Sequence, residues 1–343
     1  MDFAQILTML SISTIQELTL RDDCRAAAHL ELHLRPRRML SDFVTYPDRF
    51  LRRLDKKAIL SGSWVCAFIE GDPDWVPNDL DVWTDYESFD EFVRFFVEEE
   101  GYAEDAEERA GRQQRIARRR QVRADLLARL RAGQTVYISP EIETGICQVV
   151  TLRKGDRKVD IIRNRSASPT YALTKFWSTA QMNYVSAHGF CCAYPRLTLR
   201  RMGVLNPLFV SDEGVPKDAL EPLMAKYEDR GYDFHKRWWE DENLGCLGNH
   251  DHAICPTIVR SFGDVHCLYG KFGEDESEAG FGYSPELRAS DWEVEWQFGG
   301  WHGCKGPRVS PTVRCWNTVT GQSDDPDNWN DPEGWDDVEL HTN

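Results

Sequence analysis

The stretch Asp79-Leu80-Asp81-Val82-Trp83-Thr84 alternates polar and apolar side chains, the period of a strand with one face buried. Residues two apart on a strand point the same way. Asp79 and Asp81 therefore project together while Leu80 and Val82 enter a core. Two adjacent carboxylates repel unless something positive sits between them, and a magnesium ion held by oxygen ligands answers that need. Alone, Asp-x-Asp reads equally as a solvated strand edge.

Upstream, Ala58-Ile59-Leu60 forms a short buried strand that ends in Ser61-Gly62-Ser63, and Trp64 to Ile69 follows as a helix. Gly62 permits close backbone approach, Ser63 supplies a hydroxyl, and a helix N-terminus offers free N–H groups. Such a turn suits a triphosphate, or is an ordinary strand-to-helix connection. Gly71 to Asn78 is loop-like by its Gly, Pro and Asn content. Ser88 to Glu99 is an amphipathic helix with Phe89, Phe92, Phe95 and Phe96 on one stripe.

Downstream, residues 145–163 read as a hairpin around Lys154-Gly155-Asp156. Its second strand, Arg157-Lys158-Val159-Asp160-Ile161-Ile162, places one acid among apolar neighbours. A carboxylate is costly to bury there unless it is paired or binds metal. If the Asp160 strand lies beside the Asp79 strand, three carboxylates converge, enough to hold divalent ions for phosphoryl transfer. The plainer reading pairs Asp160 with Arg157 or Arg163, or turns it to solvent. Ser168-Pro169 then opens a helix expected to run to about Ala187 and end near Gly189.

Leu60-Ser61-Gly62-Ser63, Asp79-Leu80-Asp81-Val82 and Val159-Asp160-Ile161 together resemble the nucleotidyltransferase superfamily, the fold of DNA polymerase beta, poly(A) polymerases and kanamycin nucleotidyltransferase. The resemblance covers roughly residues 45–190. Ser178-Thr179-Ala180-Gln181-Met182-Asn183 and the Cys-Pro-rich region resemble uncharacterised fungal proteins with this core. Two departures stand out: Ser61 replaces the usual apolar residue before Gly62, and the interval from Ser63 to Asp79 is longer than usual. The extra length falls in a loop, where insertion is well tolerated. The resemblance implies an α+β fold with a nucleotidyltransferase-type mixed sheet flanked by helices. It implies Mg²⁺ or Mn²⁺ on Asp79, Asp81 and Asp160, with the phosphates of an NTP on Gly62 and Ser63. It also implies nucleotide contacts from Lys175, Ser178 and Asn183. The reaction would move a nucleoside monophosphate to a hydroxyl of an unknown acceptor, whether protein, RNA or small molecule.

The rest of the chain frames that core. With 343 residues, 41% of them hydrophobic, one large domain with appendages or two domains are expected. Residues 1–44 read as an N-terminal helical cap and 45–190 as the core. Within the core, 103–132 is a charged helical insertion, acidic at its start and arginine-rich from Arg109 to Arg131. Such a charge order complements a helix macrodipole. Residues 191–321 read as a C-terminal region mixing helix with irregular β-segments, and 322–343 as an acidic disordered tail. Tryptophans 238, 239, 292, 296, 301 and 316 suggest a packed β-rich unit. A formal charge of −16 disfavours generic polyanion binding. No apolar run approaches the roughly 20 residues of a membrane helix, and no signal peptide is read at the acidic N-terminus. A cytoplasmic or nuclear protein with reduced thiols is therefore expected. Cys246, His250, His252, Cys255 and Cys267 are candidate ligands of a structural zinc.

Two further functional readings remain open on sequence grounds. Nucleotide-sugar glycosyltransferases also use Asp-x-Asp with a divalent ion, although that reading leaves Gly62-Ser63 and Asp160 unexplained. The other alternative is an inactive interaction module on the same fold. One version is an adaptor whose Ile6 to Cys24 segment is similar to an F-box.

Overall fold

The computed structural model describes residues 3–71, 73–104, 144–210, 220–235, 258–273, 279–283, 287–297 and 312–324, with scattered helical positions between 109 and 128. It is an α+β protein built on a large mixed sheet with several helices. The first helices are α1 (Phe3–Met9), α2 (Ile12–Thr19), α3 (Arg25–Leu40) and α4 (Pro47–Leu54). Then come β1 (Ala58–Ser61), α5 (Gly62–Glu70), β2 (Asp79–Thr84), α6 (Phe89–Arg94), β3 (Ala103–Glu104), β4 (Ile146–Lys154) and β5 (Arg157–Asn164). The later strands are β6 (Asn183–Val185), β7 (Gly189–Cys192), β8 (Met202–Val204), β9 (Asp233–His235), β10 (Arg260–Ser261), β11 (Leu268–Lys271), β12 (Gly280–Phe281), β13 (Trp292–Gln297), β14 (Thr312–Asn317) and β15 (Ser323–Asp324).

Nine strands form one sheet in the order β12-β11-β7-β6-β1-β2-β5-β4-β3. Only the β2–β5 pair is parallel within it. The sheet draws strands from both sides of residue 190. One face, carrying Leu60, Leu80, Val82, Val159, Ile161 and Val185, packs against Trp64 and Phe68 of α5 and the phenylalanines of the 89–99 helix. The opposite face carries Ile59, Trp83, Ile162 and Tyr184 and packs on Leu173, Met182 and Trp296. Trp296 belongs to a separate four-stranded sheet, β10-β13-β14-β15. Its indole donates to the Tyr194 hydroxyl at 3.0 Å, which satisfies the one polar atom that burial would otherwise strand.

One sequence expectation is corrected and two others gain detail. Residues 168–187 do not form a helix. Short 3₁₀ turns at Tyr171–Lys175 and Thr179–Gln181 lead into β6. Nearly every residue from Ser168 to Ser186 is buried, so no solvent face exists for an amphipathic helix to present. The Asn164 side chain binds the 172 amide and the 169 carbonyl, and Ser178 caps the second turn, so side chains compete for the bonds a helix would use. The helix over 88–99 widens into a π turn at Phe95–Glu99. Of the acidic tail expected over 322–343, Ser323–Asp324 form β15, where Asp324 accepts bonds from Ser166 Oγ at 2.7 Å and the Ala167 amide at 3.0 Å, and residues 325–343 lie outside the described residues. The described positions of the charged 103–132 insertion between 109 and 128 are helical.

The N-terminal helices are tied to the core by one buried cation. Arg35 is 1% exposed. It donates to the carbonyls of Leu7, Leu10 and Phe68 and pairs with Glu31 at 2.8 Å. Carbonyls at helix C-termini lack intrahelical partners, and Arg35 supplies them to the ends of both α1 and α5. Replacing Arg35 with Met should destabilise the fold by about 3 kcal/mol, because three carbonyls lose the Arg35 donor, Leu7 alone keeping a described one, the Leu10 amide, and Glu31 keeps only Arg38. Urea unfolding measures the loss; an unchanged midpoint contradicts the assignment.

Candidate functional site

The acids meet because of strand register. β2 and β5 run parallel with Asp81 opposite Asp160 and Asp79 opposite Lys158. β1 places Ser61 opposite Asp81, and β4 places Thr151 opposite Asp160. Ser61, Asp81, Asp160 and Thr151 thus form a row across four strands, and Asp79 and Lys158 form the row behind it. Opposed residues share a face, so all six side chains stand on the side that carries Trp83 and Ile162. There the layer covering Trp83 gives way. Trp83 is 6% exposed, whereas the side chains of Asp79, Asp160 and Lys158 are 19%, 13% and 27% exposed. Phe176 packs edge-on to Trp83 at 5.0 Å and closes the inner end.

Ligand oxygens of Asp79, Asp81 and Asp160 lie within 4.8 Å of one another. This acidic triad can hold a metal ion. Its donors are all hard oxygens, and Asp81 accepts no hydrogen bond from the described residues. The other two acids are fixed. Ser63 Oγ donates to Asp79 Oδ1 at 2.9 Å, Thr151 Oγ1 to Asp160 Oδ1 at 2.7 Å, and Lys158 Nζ to Asp160 Oδ2 at 2.6 Å. Lys158 Nζ is also 3.8 Å from Asp79 Oδ2. Burial and then the charges of Asp79 and Asp160 push the Asp81 carboxyl well above the usual carboxylate range. Burial works to lower the Lys158 ammonium, but its bond to Asp160 and the three negative charges outweigh it, and the net shift is upward.

Gly62 makes the triad geometrically possible. Its φ of +70° lies in the left-handed region, and a Cβ there would stand 1.9 Å from Asp81 Oδ2. This glycine therefore lets the strand turn into α5 and lets the Asp81 carboxylate rest against the backbone. A second wall comes from the lobe containing β8, β9 and the helix Glu221–Glu228. Tyr227, Tyr232 and Phe234 pack with Cys66 of α5 and with Trp177. Tyr232 and Arg201 both bind Glu70 at the far end of α5, at 2.6 and 2.8 Å. Lys226 lies close enough for its charge to bear on Asp81, and the Asp81 charge in turn bears on the Tyr227 hydroxyl.

The contacts seen for the other anticipated ligands are with groups outside the triad. Lys175 is buried with its ammonium 4.7 Å from the Tyr171 ring. Ser178 is fully buried and accepts the Ala180 amide. Asn183 is buried in β6, where its side chain donates to the Ala180 carbonyl at 2.7 Å and its own carbonyl accepts from Ser61 Oγ at 2.7 Å. The partners expected for Asp160 are also corrected: Arg157 lies 4.0 Å from Asp42, and Arg163 donates to the Tyr86 carbonyl at 2.8 Å. Of the zinc candidates, Cys246, His250, His252 and Cys255 lie outside the described residues. Cys267 is described, and its sulfur sits 3.5 Å from both Arg260 Nη2 and Asp264 Oδ1. Sequence reasoning missed Lys158 and Thr151. The signal for Lys158 was present, since it precedes Asp160 by two residues on the same strand.

Among the described residues no helix is long and apolar enough to cross a membrane. No family model matches the chain, and neither a curated protein nor a solved structure is significantly similar to it.

Two outcomes are expected of this geometry. Gly62→Ala should weaken Mn²⁺ binding about 10–100-fold by displacing Asp81, measured by titration against wild type; unchanged affinity contradicts the cradle. The second concerns pH. A carboxyl whose folded pKa is raised binds protons more tightly in the folded than in the unfolded chain. Metal-free protein therefore loses stability as pH climbs from the ordinary value of 3.8 through the raised one. Asp81→Asn should flatten that part of the pH profile of melting temperature and raise the melting temperature at neutral pH. A melting temperature that drops instead shows that Asp81 is held by an attraction rather than against a repulsion.

Proposed function

We propose that this chain is a metal-dependent nucleotidyltransferase of the DNA polymerase beta-like fold, transferring a nucleoside monophosphate from an NTP to a hydroxyl acceptor. The observation that carries the reading is the β2–β5 register, which sets Asp160 opposite Asp81 beside the Gly62-Ser63 turn. The triad's oxygen donors suit Mg²⁺ or Mn²⁺. A divalent ion bound there supplies positive charge to the phosphates and to the reacting oxygens.

Each residue has a task in this reading. Asp79 and Asp81 provide the carboxylate oxygens, since Asp81 has no competing donor among the described residues and Asp79 accepts one hydrogen bond, from Ser63 on Oδ1, with Lys158 Nζ 3.8 Å from its Oδ2. The start of α5 turns free N–H groups toward the β- and γ-phosphates, next to Gly62 and Ser63. The acceptor hydroxyl attacks the α-phosphorus, a new P–O bond forms, the bond to the bridging oxygen breaks, and pyrophosphate leaves. Asp160, oriented by Thr151 and Lys158, takes the hydroxyl proton. Positioning and charge neutralisation account for most of the acceleration in such transfers.

The Lys158–Asp160 ion pair favours one competing reading, in which the fold survives as an interaction module whose acids neutralise themselves. The F-box-like version of it needs α1–α3 free to dock. Ile12, Leu32 and Leu40 pack in the same core cluster as the sheet, which counts against that version.

The deciding experiment incubates the protein with each α-labelled NTP, Mg²⁺ or Mn²⁺, and cell extract as a source of acceptors. Label transfer by wild type and none by the Asp79→Asn/Asp81→Asn variant is expected. Absence of metal-dependent nucleotide binding in both proteins would favour the interaction module.

A further inference from the structure

The triad gathers three carboxylates but does not leave them equally available. Asp160 has both oxygens engaged, Oδ1 by Thr151 at 2.7 Å and Oδ2 by Lys158 at 2.6 Å. The same ammonium stands 3.8 Å from Asp79 Oδ2, so it bridges the space between Asp160 and Asp79. Asp81 is the opposite case: no described donor reaches it, and its Oδ2 rests against the Gly62 backbone, where only the missing side chain leaves it room. The cluster is therefore divided. One side is already neutralised by a side chain of the same sheet, and the other carries a carboxylate with no described donor.

We propose that Lys158 is a built-in cation that fills the seat between Asp160 and Asp79, so that the site takes a single divalent ion, held by Asp79 and Asp81. The inference rests on the transferase reading, which brings divalent ions to the triad, and changes what that reading requires of it. Three acids suffice for two divalent ions in phosphoryl transfer. Here the charge beside Asp160 is an ammonium, anchored by its own strand one position behind Asp160 on the same face. An ammonium carries one positive charge and donates hydrogen bonds in any of three directions. It can orient an acceptor oxygen but neutralises less negative charge than a divalent ion would. Lys158 is thus a positioning residue that sets the metal stoichiometry of the site.

Mn²⁺ stoichiometry and electron paramagnetic resonance of the full chain test the assignment without relying on turnover. Wild type should bind one Mn²⁺ with an uncoupled signal. Lys158→Gln, which removes the charge and keeps much of the length, should bind two and show a spin-coupled pair, and Lys158→Arg should stay at one. A wild type that binds two ions overturns the proposal and leaves the transferase reading standing. A Lys158→Gln variant that still binds one, while melting as wild type does, overturns it as well. A further measurement covers the case in which that variant fails to fold. In the wild-type background Asp160→Asn should change Mn²⁺ affinity by less than about tenfold, the lower end for an outer partner, whereas Asp81→Asn should abolish binding. Equal losses from the two would show that Asp160 ligates the ion directly and that Lys158 does not hold its place. Absence of Mn²⁺ binding in wild type also overturns the proposal, and the label-transfer assay then decides separately whether the transferase reading falls with it.

Discussion

Carboxylates on neighbouring strands repel, and the fold must hold three of them within 4.8 Å of one another. Most of what surrounds the site follows from that constraint. The repulsion is borne by the centre of a nine-stranded sheet whose opposite face is wholly apolar at Leu80, Val82, Val159 and Ile161. A rigid, two-sided core can keep like charges in register where a loop would let them separate. Hydroxyls from Ser63 and Thr151 and the ammonium of Lys158 absorb part of the charge. Burial, and after it the charges of Asp79 and Asp160, push the Asp81 carboxyl well above the usual carboxylate range.

Helix α5 links this centre to the rest of the molecule. Its first turn starts beside Asp81 and places Ser63 on Asp79. Its middle lies in the apolar core through Trp64, Val65 and Phe68. At its last turn, Phe68 accepts from Arg35, and Glu70 accepts from Tyr232 and pairs with Arg201. Segments from before and after the central strands therefore meet on a helix of nine residues.

Local pattern made much of the centre legible. The alternation over 79–84 gave β2, the Lys154-Gly155-Asp156 turn gave the β4–β5 hairpin, and Gly62 marked the strand-to-helix turn. Convergence of the acids was a conditional expectation, because it depends on β2 and β5 pairing in parallel across the long insertion. No local signal encodes that pairing. Residues 168–187 misled for a related reason. Their apolar content is high because they are buried on every side, and burial alone does not distinguish a helix from a string of turns feeding a strand. Lys158 passed without notice in a hairpin that also carries Arg153, Lys154 and Arg157. Its meaning depends on Asp79 standing opposite it.

The far half of the sheet has a consequence in time rather than in space. β7, at residues 189–192, is flanked by β6 on one side and by β11, at residues 268–271, on the other. β12 at 280–281 then completes that edge. On a ribosome the hairpin of β4 and β5 and the helices around it can assemble early, but β7 keeps one row of amides and carbonyls open until the later segment emerges. Pairings of such sequence separation close slowly because chain entropy is lost before contacts are gained. During that interval Phe190, Cys191 and Cys192, fully buried in the finished sheet, stand on an unpaired edge. Until β11 arrives, such an edge is open to pairing with another chain.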